Sequence, residues 1–456
     1  MRIVKSCAAA LAAASLGACS LDLQNPNSPT EVAVTTSPDG IIALGVGLQG
    51  RYTTSTFNFA YAAGLVTDEL AAGSSALISI SDAEQGQVPP GTGIADATFN
   101  SIYRTVRTAD DLLIGTERLA TSFDAGTRSG LRALAFALKG DAIGQALQAY
   151  QRVPVATAGT DTTTYVPRDS ALRTVRRLLD SASAALTVAP STFFNTTVAG
   201  PQLSLPNTVN LYRARYARLA NDWPAALAAS NLVSRTVLSQ LSFVAPAVNP
   251  WVNVIGSTEY VWPRQSFRAT LETGDRRATF FLDTLVRQNG RIGTPLFGWA
   301  VFPQTGPQSS LPIYYPDEAL LIKAEAQVQL NDLTGARASI DSVRTDCSRV
   351  GPQACLGAYT GPVTAADLLA EIYRQRRAEL FGTGARWEDT RRRTQIVGPI
   401  SSPAIPVGGQ RCWLPYAIGD RNANGRVGPD GRFVSNVPAD PTEPVASPAA
   451  PAACTF

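Results

Sequence analysis

Four carboxylates, Glu371, Glu379, Glu388 and Asp389, lie among seven arginines between Arg374 and Arg393. Glycoside hydrolysis needs two carboxyl groups about 5–10 Å apart across a cleft, one of them with a raised pKa. Arginines on every side lower carboxylate pKa values, the wrong direction for the acid. Glu371 with Arg374, and Arg376 with Glu379, stand at i, i+3, the ordinary way a helix solvates a charged face. Trp387 reads as a buried anchor, not a sugar platform. The chain has no histidine, which removes the commonest general base and every Ser-His-Asp or Cys-His arrangement. No catalytic residue is assigned, and the chain is read as no enzyme.

"DRNANGRVGPDG", Asp420 to Gly431, opens like an EF-hand loop, with Asp420, Asn422, Asn424 and Gly425 at positions 1, 3, 5 and 6. Position 12 requires a bidentate carboxylate and holds Gly431, and no apolar helix follows. No metal and no cofactor are expected.

The amino end carries a different chemistry. Arg2 and Lys5 precede a short apolar run from Ala8 to Leu16, far below the ~20 residues of a membrane span. Leu16-Gly17-Ala18-Cys19 then matches a lipobox, so residues 1–18 read as a cleaved signal peptide and Cys19 as the lipidated residue. Each buried methylene of an acyl chain contributes about 0.8 kcal/mol, so several chains hold a protein durably on a membrane. Beyond Cys7 and Cys19, four cysteines remain: Cys347, Cys355, Cys412 and Cys454. In an exported protein an even number favours disulfides. Close spacing favours Cys347 with Cys355, leaving Cys412 for Cys454, although spacing alone does not fix connectivity. A zinc site would need four thiolates without CxxC spacing. The formal charge is +3, or +1 without Arg2 and Lys5, and no basic cluster marks a nucleic-acid partner.

The elements that must position these residues are mostly helices. Residues 19–40 form a polar, Pro-rich tether. Alanine-rich helical segments run from about 41 to 235, among them Leu131–Tyr150, Ser170–Leu186 and Leu211–Val233. In "PDEALLIKAEAQVQLNDLTGARASIDSVR", Asp317 and Glu318 suit the first turn of a helix. Leu321, Ala324 and Val328 make one apolar stripe, and Asn331-Asp332 breaks the helix. Thr334 can cap a second helix with Ala336, Ile340 and Val343 on its stripe. So short a link makes the helices antiparallel. Asn221-Asp222 repeats the design, and "KGDA" at Lys139 to Ala142 reads as a weaker third copy. These are hairpins of tetratricopeptide (TPR) type, irregularly spaced. Residues 240–310 are richer in Pro, Gly and aromatics, with β-type content in "STEYVWPRQSF". Helices resume over 311–395, and 396–456 is loop-rich.

Several segments, in order, resemble the SusD/RagB-like outer-membrane lipoproteins: "CSLDLQNPNSPT", "GLVTDEL", "TFNSIYRTVRTADDLL", "LRALAFALKGDAIGQALQAYQRVPV", "GSTEYVWPRQ", "TGDRRATFFL", the Pro316 hairpin, "LLAEIYRQRRAELFGTGARWEDTRRR" and "LPYAIGDRNANGR". Three positions depart from the family pattern. Asp110 or Asp111 stands for the usual asparagine, Tyr315 for a common arginine, and Glu388 for an aromatic.

The resemblance implies a mainly α, SusD-like fold over residues 41–456 as a single domain, with an irregular insertion containing a little β. It also implies a non-catalytic lipoprotein on the outer membrane, facing the exterior. Such a protein captures oligosaccharide (or peptide) and delivers it to a SusC-like TonB-dependent transporter. The alternative is a TPR-type envelope scaffold without nutrient ligand. Sugars need flat aromatic faces with polar groups at the rim. On that ground Trp251, Trp262, Trp299 and Tyr314 are the candidate ligand contacts.

Overall fold

The computed structural model describes residues 34–88, 91, 93–157, 164–300, 306–348, 350–392 and 413–423. The architecture is mainly α. Helix α1 (Pro38–Val66) starts where the Ser37 side chain accepts from Gly40 N at 3.1 Å, with proline at its first position. A strand β1 (Leu70–Ala72) and a short helix α2 (Ile78–Glu84) lead to α3 (Gly93–Arg118) and α4 (Ala125–Ala149).

Helix α4 is the axis of the body. From Leu131 to Tyr150 nearly every residue is buried, so the helix shows little amphipathic contrast. Small residues let neighbours approach: a Cβ on Gly144 would lie 2.0 Å from Tyr216 Cζ, and one on Gly130 2.4 Å from the Phe194 ring. Lys139 to Ala142 is no helix break. α4 runs through it, because Lys139 binds Asp110 and Asp141 binds Tyr52, Tyr216 and Arg215. Both charges are satisfied inside the packing.

A two-stranded ribbon, β2 (Arg152–Pro154) with β3 (Tyr165–Pro167), leads to α5 (Arg168–Ala185). Two hairpins follow: α6 (Leu205–Leu219) with α7 (Trp223–Ser230), then α8 (Asp317–Gln329) with α9 (Leu333–Arg344). Their turns are the same device. Asn221 (φ 55°) and Asn331 (φ 63°) take the left-handed conformation. Asp222 and Asp332 then cap the next helix, accepting from Ala225 N at 3.2 Å and Gly335 N at 2.9 Å. The cap is therefore Asp332 and not Thr334, which lies inside α9. Leu321, Ala324, Val328, Ala336, Ile340 and Val343 are all buried. Helix α10 (Ala365–Glu379) closes a second core with Leu368, Ile372 and Tyr373 against α8 and α9. It starts at Thr364, whose Oγ1 accepts from Asp367 N.

Between the hairpins lie β4 (Gln240–Leu241), β5 (Val261–Pro263), the hairpin β6 (Leu282–Asn289) and β7 (Pro295–Trp299), and β8 (Leu311–Pro312). β5 pairs antiparallel with β1, far away in sequence, with Ala71 opposite Trp262. Helix α11 (Ala385–Arg392) and a terminal helix α12 (Ile418–Ala423) complete the described chain. Cys347 and Cys355 are joined by a disulfide. Cys19, Cys412 and Cys454 lie outside the described residues. No helix among the described residues is long and apolar enough to cross a membrane.

Candidate functional site

The carboxylates of the arginine-rich stretch hold the fold together. Their side chains are buried, so most of the charged face of α10 is not solvated, although the i, i+3 pair of Glu371 with Arg374 forms as expected, with Arg374 at the surface. Arg376 passes over Glu379 and binds Asp389 at 2.7 Å, while Arg218 reaches Asp389 from α6 at 2.8 Å. Glu388 is held by Arg168 at 2.5 Å and Arg391 at 3.0 Å. Burial opposes ionisation of Glu388 and Asp389, yet the guanidiniums win and hold both below the usual carboxylate range. Glu379 departs from the expected lowering. Burial, with Asp317 and Asp275 nearby, pushes it well up against the pull of Arg277. Trp387 is fully buried, stacked on Phe59 with Arg391 over its ring.

The candidate aromatics separate into two groups. Trp299 donates its indole N–H to Val261 O at 2.9 Å and packs between Trp251 and Phe381. Trp251, Trp299 and Tyr314 are 2, 5 and 2 % exposed. Their packing takes all three off any open ligand face. Trp251 and Tyr314 border an interior cleft with Tyr52, Asp141, Arg215 and Glu318. That cleft offers water about 80 Å³, well short of the roughly 300–1,000 Å³ of small-molecule pockets. It has room for solvent, not for a sugar ring.

Trp262 is different. It is partly exposed on β5, and so is Tyr260 two residues earlier. Side chains at i and i+2 of an extended segment share a face, and Val261 between them points into the core, fully buried. The ledge is fixed from below. Gly73 N donates to Tyr260 O at 2.9 Å, and Ser75 Oγ donates to Thr258 O at 2.9 Å and Glu259 O at 3.1 Å. Trp262 Nε1 donates to Glu259 O at 3.1 Å. A Cβ on Gly73 would fall 2.8 Å from the indole, so only glycine leaves the ring its seat. Glu259 turns the chain into this strand at φ 50°.

Helix α1 backs the ledge from inside, with Tyr61 buried and Phe57 partly buried. Phe57 and Tyr61, one turn apart, stack at 5.5 Å, and Trp251 props Phe57 edge-on at 5.1 Å. Burial, with Tyr260 beside it, pushes the Tyr61 phenol up, so its hydroxyl stays protonated. Tyr260, Phe57 and Tyr61 were not among the sequence candidates. The alternation of Tyr260 and Trp262 in "EYVWP" was the available signal, whereas nothing local ties α1 to this strand. The resulting ledge presents the partly exposed rings of Tyr260 and Trp262, flat π-faces suited to pyranose rings.

At the start of α12, Asp420 accepts from the Tyr165 hydroxyl, and burial raises its carboxyl to about 6. Asp420 and Asn422 lie on a helix, not on a coordinating loop, and residues 424–431 are outside the described set.

The model of the SusD family matches residues 311–409, from β8 through the Pro316 hairpin and the arginine-rich segment. A SusD-like carbohydrate binding protein from Bacteroides vulgatus superposes with a TM-score of 0.69 at 13% identity, covering 89% of this chain and 100% of that one. NanU of B. fragilis gives 0.63 at 14% identity, over 88% of this chain and 98% of its own. A SusD superfamily protein from Bacteroides thetaiotaomicron gives 0.62 at 15% identity, over 86% and 97%. No curated protein sequence matches the chain. At these identities the structural likeness shows the fold.

Proposed function

We propose that this chain, SusD-like in fold and carrying the SusD family pattern over residues 311–409, is a non-catalytic glycan-capturing lipoprotein of the outer membrane. Acyl chains on Cys19 moor it, facing the exterior. It holds an oligosaccharide (or peptide) on its surface and passes it to a SusC-like TonB-dependent transporter. The observation that carries the reading is the pair Tyr260 and Trp262, partly exposed at i and i+2 where the chain enters β5, while Val261 between them is buried. Successive residues on one strand face stand about 6.5–7 Å apart, so two rings span more than a single sugar. The similar B. vulgatus structure is described as carbohydrate binding, which supports the same ligand class here. Carboxylates locked to arginines, as Glu388 and Asp389 are, supply no proton for hydrolysis.

Binding of glycan oligomers to the purified chain tests the ligand. Tyr260→Ala with Trp262→Ala is expected to weaken binding by tenfold or more, since stacked aromatics dominate such sites. Unchanged affinity in that double variant would end the assignment of the ledge. Co-purification from outer-membrane extracts tests the partner. A large β-barrel protein should accompany the native chain, and Cys19→Ser should release it from the membrane. Retrieval of several unrelated envelope proteins, with no barrel and no glycan, would favour a TPR-type scaffold instead.

A further inference from the structure

Helix α5 presents a second concave surface, away from the aromatic ledge. A groove of about 530 Å³ runs along it, walled on one side by Val155, just past β2, and Val166 of β3. On the other side Ser170, Arg173, Thr174 and Arg177 follow one another at helical spacing. The two arginines are held in the same way, one turn apart. Arg173 Nη2 donates to Ser170 Oγ at 2.9 Å, and Arg177 Nη2 donates to Thr174 Oγ1 at 3.1 Å. A hydroxyl orients a guanidinium without neutralising it. The acids do not neutralise these two either, although Asp180, with Arg176, also lines the groove. Asp222 is taken by Arg176 at 2.5 Å, and Asp180 by Arg213 at 3.2 Å. Among the described residues, neither Arg173 nor Arg177 has an ion-pair partner.

We propose that this groove is a binding site for an acidic sugar, a hexuronate-type unit whose carboxylate lies between Arg173 and Arg177. Two forks on adjacent turns, with Cβ atoms about 5–6 Å apart, match a planar anion that accepts from both. The volume lies within the roughly 300–1,000 Å³ of small-molecule sites. The valines meet the C–H face of the ring. Lysine would serve poorly, because the planar fork supplies the geometry as well as the charge. That the ligand is a sugar rests on the glycan-capture reading; that it is an anion rests on the groove alone.

The test is titration of the purified full-length chain with glucuronate, and with glucose as its neutral counterpart. Glucuronate should bind at least tenfold more tightly than glucose, and its affinity should fall as salt is raised. Arg173→Gln with Arg177→Gln should lose at least tenfold for glucuronate. Both positions are exposed, and glutamine keeps the helix propensity, so folding is preserved. Ser170→Ala with Thr174→Ala should lose a smaller factor, since the guanidiniums stay but are no longer held. Equal binding of the two sugars, undiminished binding by the double glutamine variant, or no glucuronate binding would each overturn the proposal. Neutral-oligomer binding through Tyr260 and Trp262 should be untouched by the arginine variants, so failure of one site is readable apart from the other.

Discussion

Arg215 grips Glu318 with two parallel hydrogen bonds, Nε to Oε1 at 2.7 Å and Nη2 to Oε2 at 2.8 Å. One residue sits in the first helix of the first hairpin, the other in the first helix of the second. Arg215 also binds Asp141 of α4 at 3.0 Å, so one guanidinium fixes both hairpins to the central helix. Arg215→Ala leaves two carboxylates buried without their partner. It is expected to cost about 3–5 kcal/mol, the range for breaking a buried pair from one side. Arg215→Lys should lose much of the same amount, because an ammonium has no planar fork to make two parallel bonds to Glu318 while reaching Asp141. Denaturant midpoints of the two variants against the parent chain check this, and a change below 1 kcal/mol would mean that the pairing is incidental.

Adjacent carboxylates at the end of α1 set a pH dependence. Burial opposes the charge on Asp68, but Arg386 and Arg377 pull it down to about 2. Among the described residues Glu69 makes no ion pair, and it feels the same arginines only weakly. Burial, and Asp68 beside it, push it up to about 8, from 4.5 in the unfolded chain. Folded Glu69 therefore keeps its proton where the unfolded chain has released it, and stability falls as pH rises between these two values. Asp68 acts only in the acid range, so it does not confuse the reading from pH 5 to 9. Glu69→Gln should lessen the slope, leaving the part that Glu379 and Asp420 contribute, and be more stable than the parent at pH 9, by on the order of a few kcal/mol. Parallel pH profiles of the two proteins would refute the assignment.

Gly73 seats the indole of Trp262. Gly73→Ala puts a methyl group 2.8 Å from the ring and 2.4 Å from Glu259 O. Overpacking of this kind costs about 1–3 kcal/mol, and the ring is the softer partner. Glycan affinity should fall together with a shift in tryptophan emission. Retained affinity would show that the ledge tolerates a displaced indole.

The left-handed asparagines can be examined singly. Asn331→Ala should destabilise by about 1 kcal/mol, since alanine resists positive φ more than asparagine does. Asn331→Gly should be neutral or better, because glycine takes that region freely. Thermal unfolding of the pair measures the difference. Equal loss in both variants would mean that the asparagine side chain, not the backbone, matters at this turn.

Local features were legible without a structure because they depend on neighbours in the chain. The stripe of Leu321, Ala324 and Val328 and the Asn-Asp turns follow from helical periodicity and backbone preference. Capping already shows the limit. Thr334 and Asp332 are both good caps by type, and only the path of the chain chose Asp332. Likewise "KGDA" looks like a turn by composition, yet α4 runs straight through it. Its charges found partners from α3 and α6, which the local sequence does not contain.

What the sequence determined by itself is the mainly helical design, the duplicated hairpin and its polar turns, all set within a few residues. Tertiary structure decided which aromatics are open and which charges are buried. Trp251, Trp262 and Trp299 have the same chemistry, and their different fates follow from long-range packing: β1 pairs with the strand of Trp262, while Trp251 and Trp299 pack on each other in the core. Arg376 chose Asp389 over the nearer Glu379 for a related reason. Burial and partner choice are properties of surfaces that meet in space, and residues hundreds of positions apart supply them.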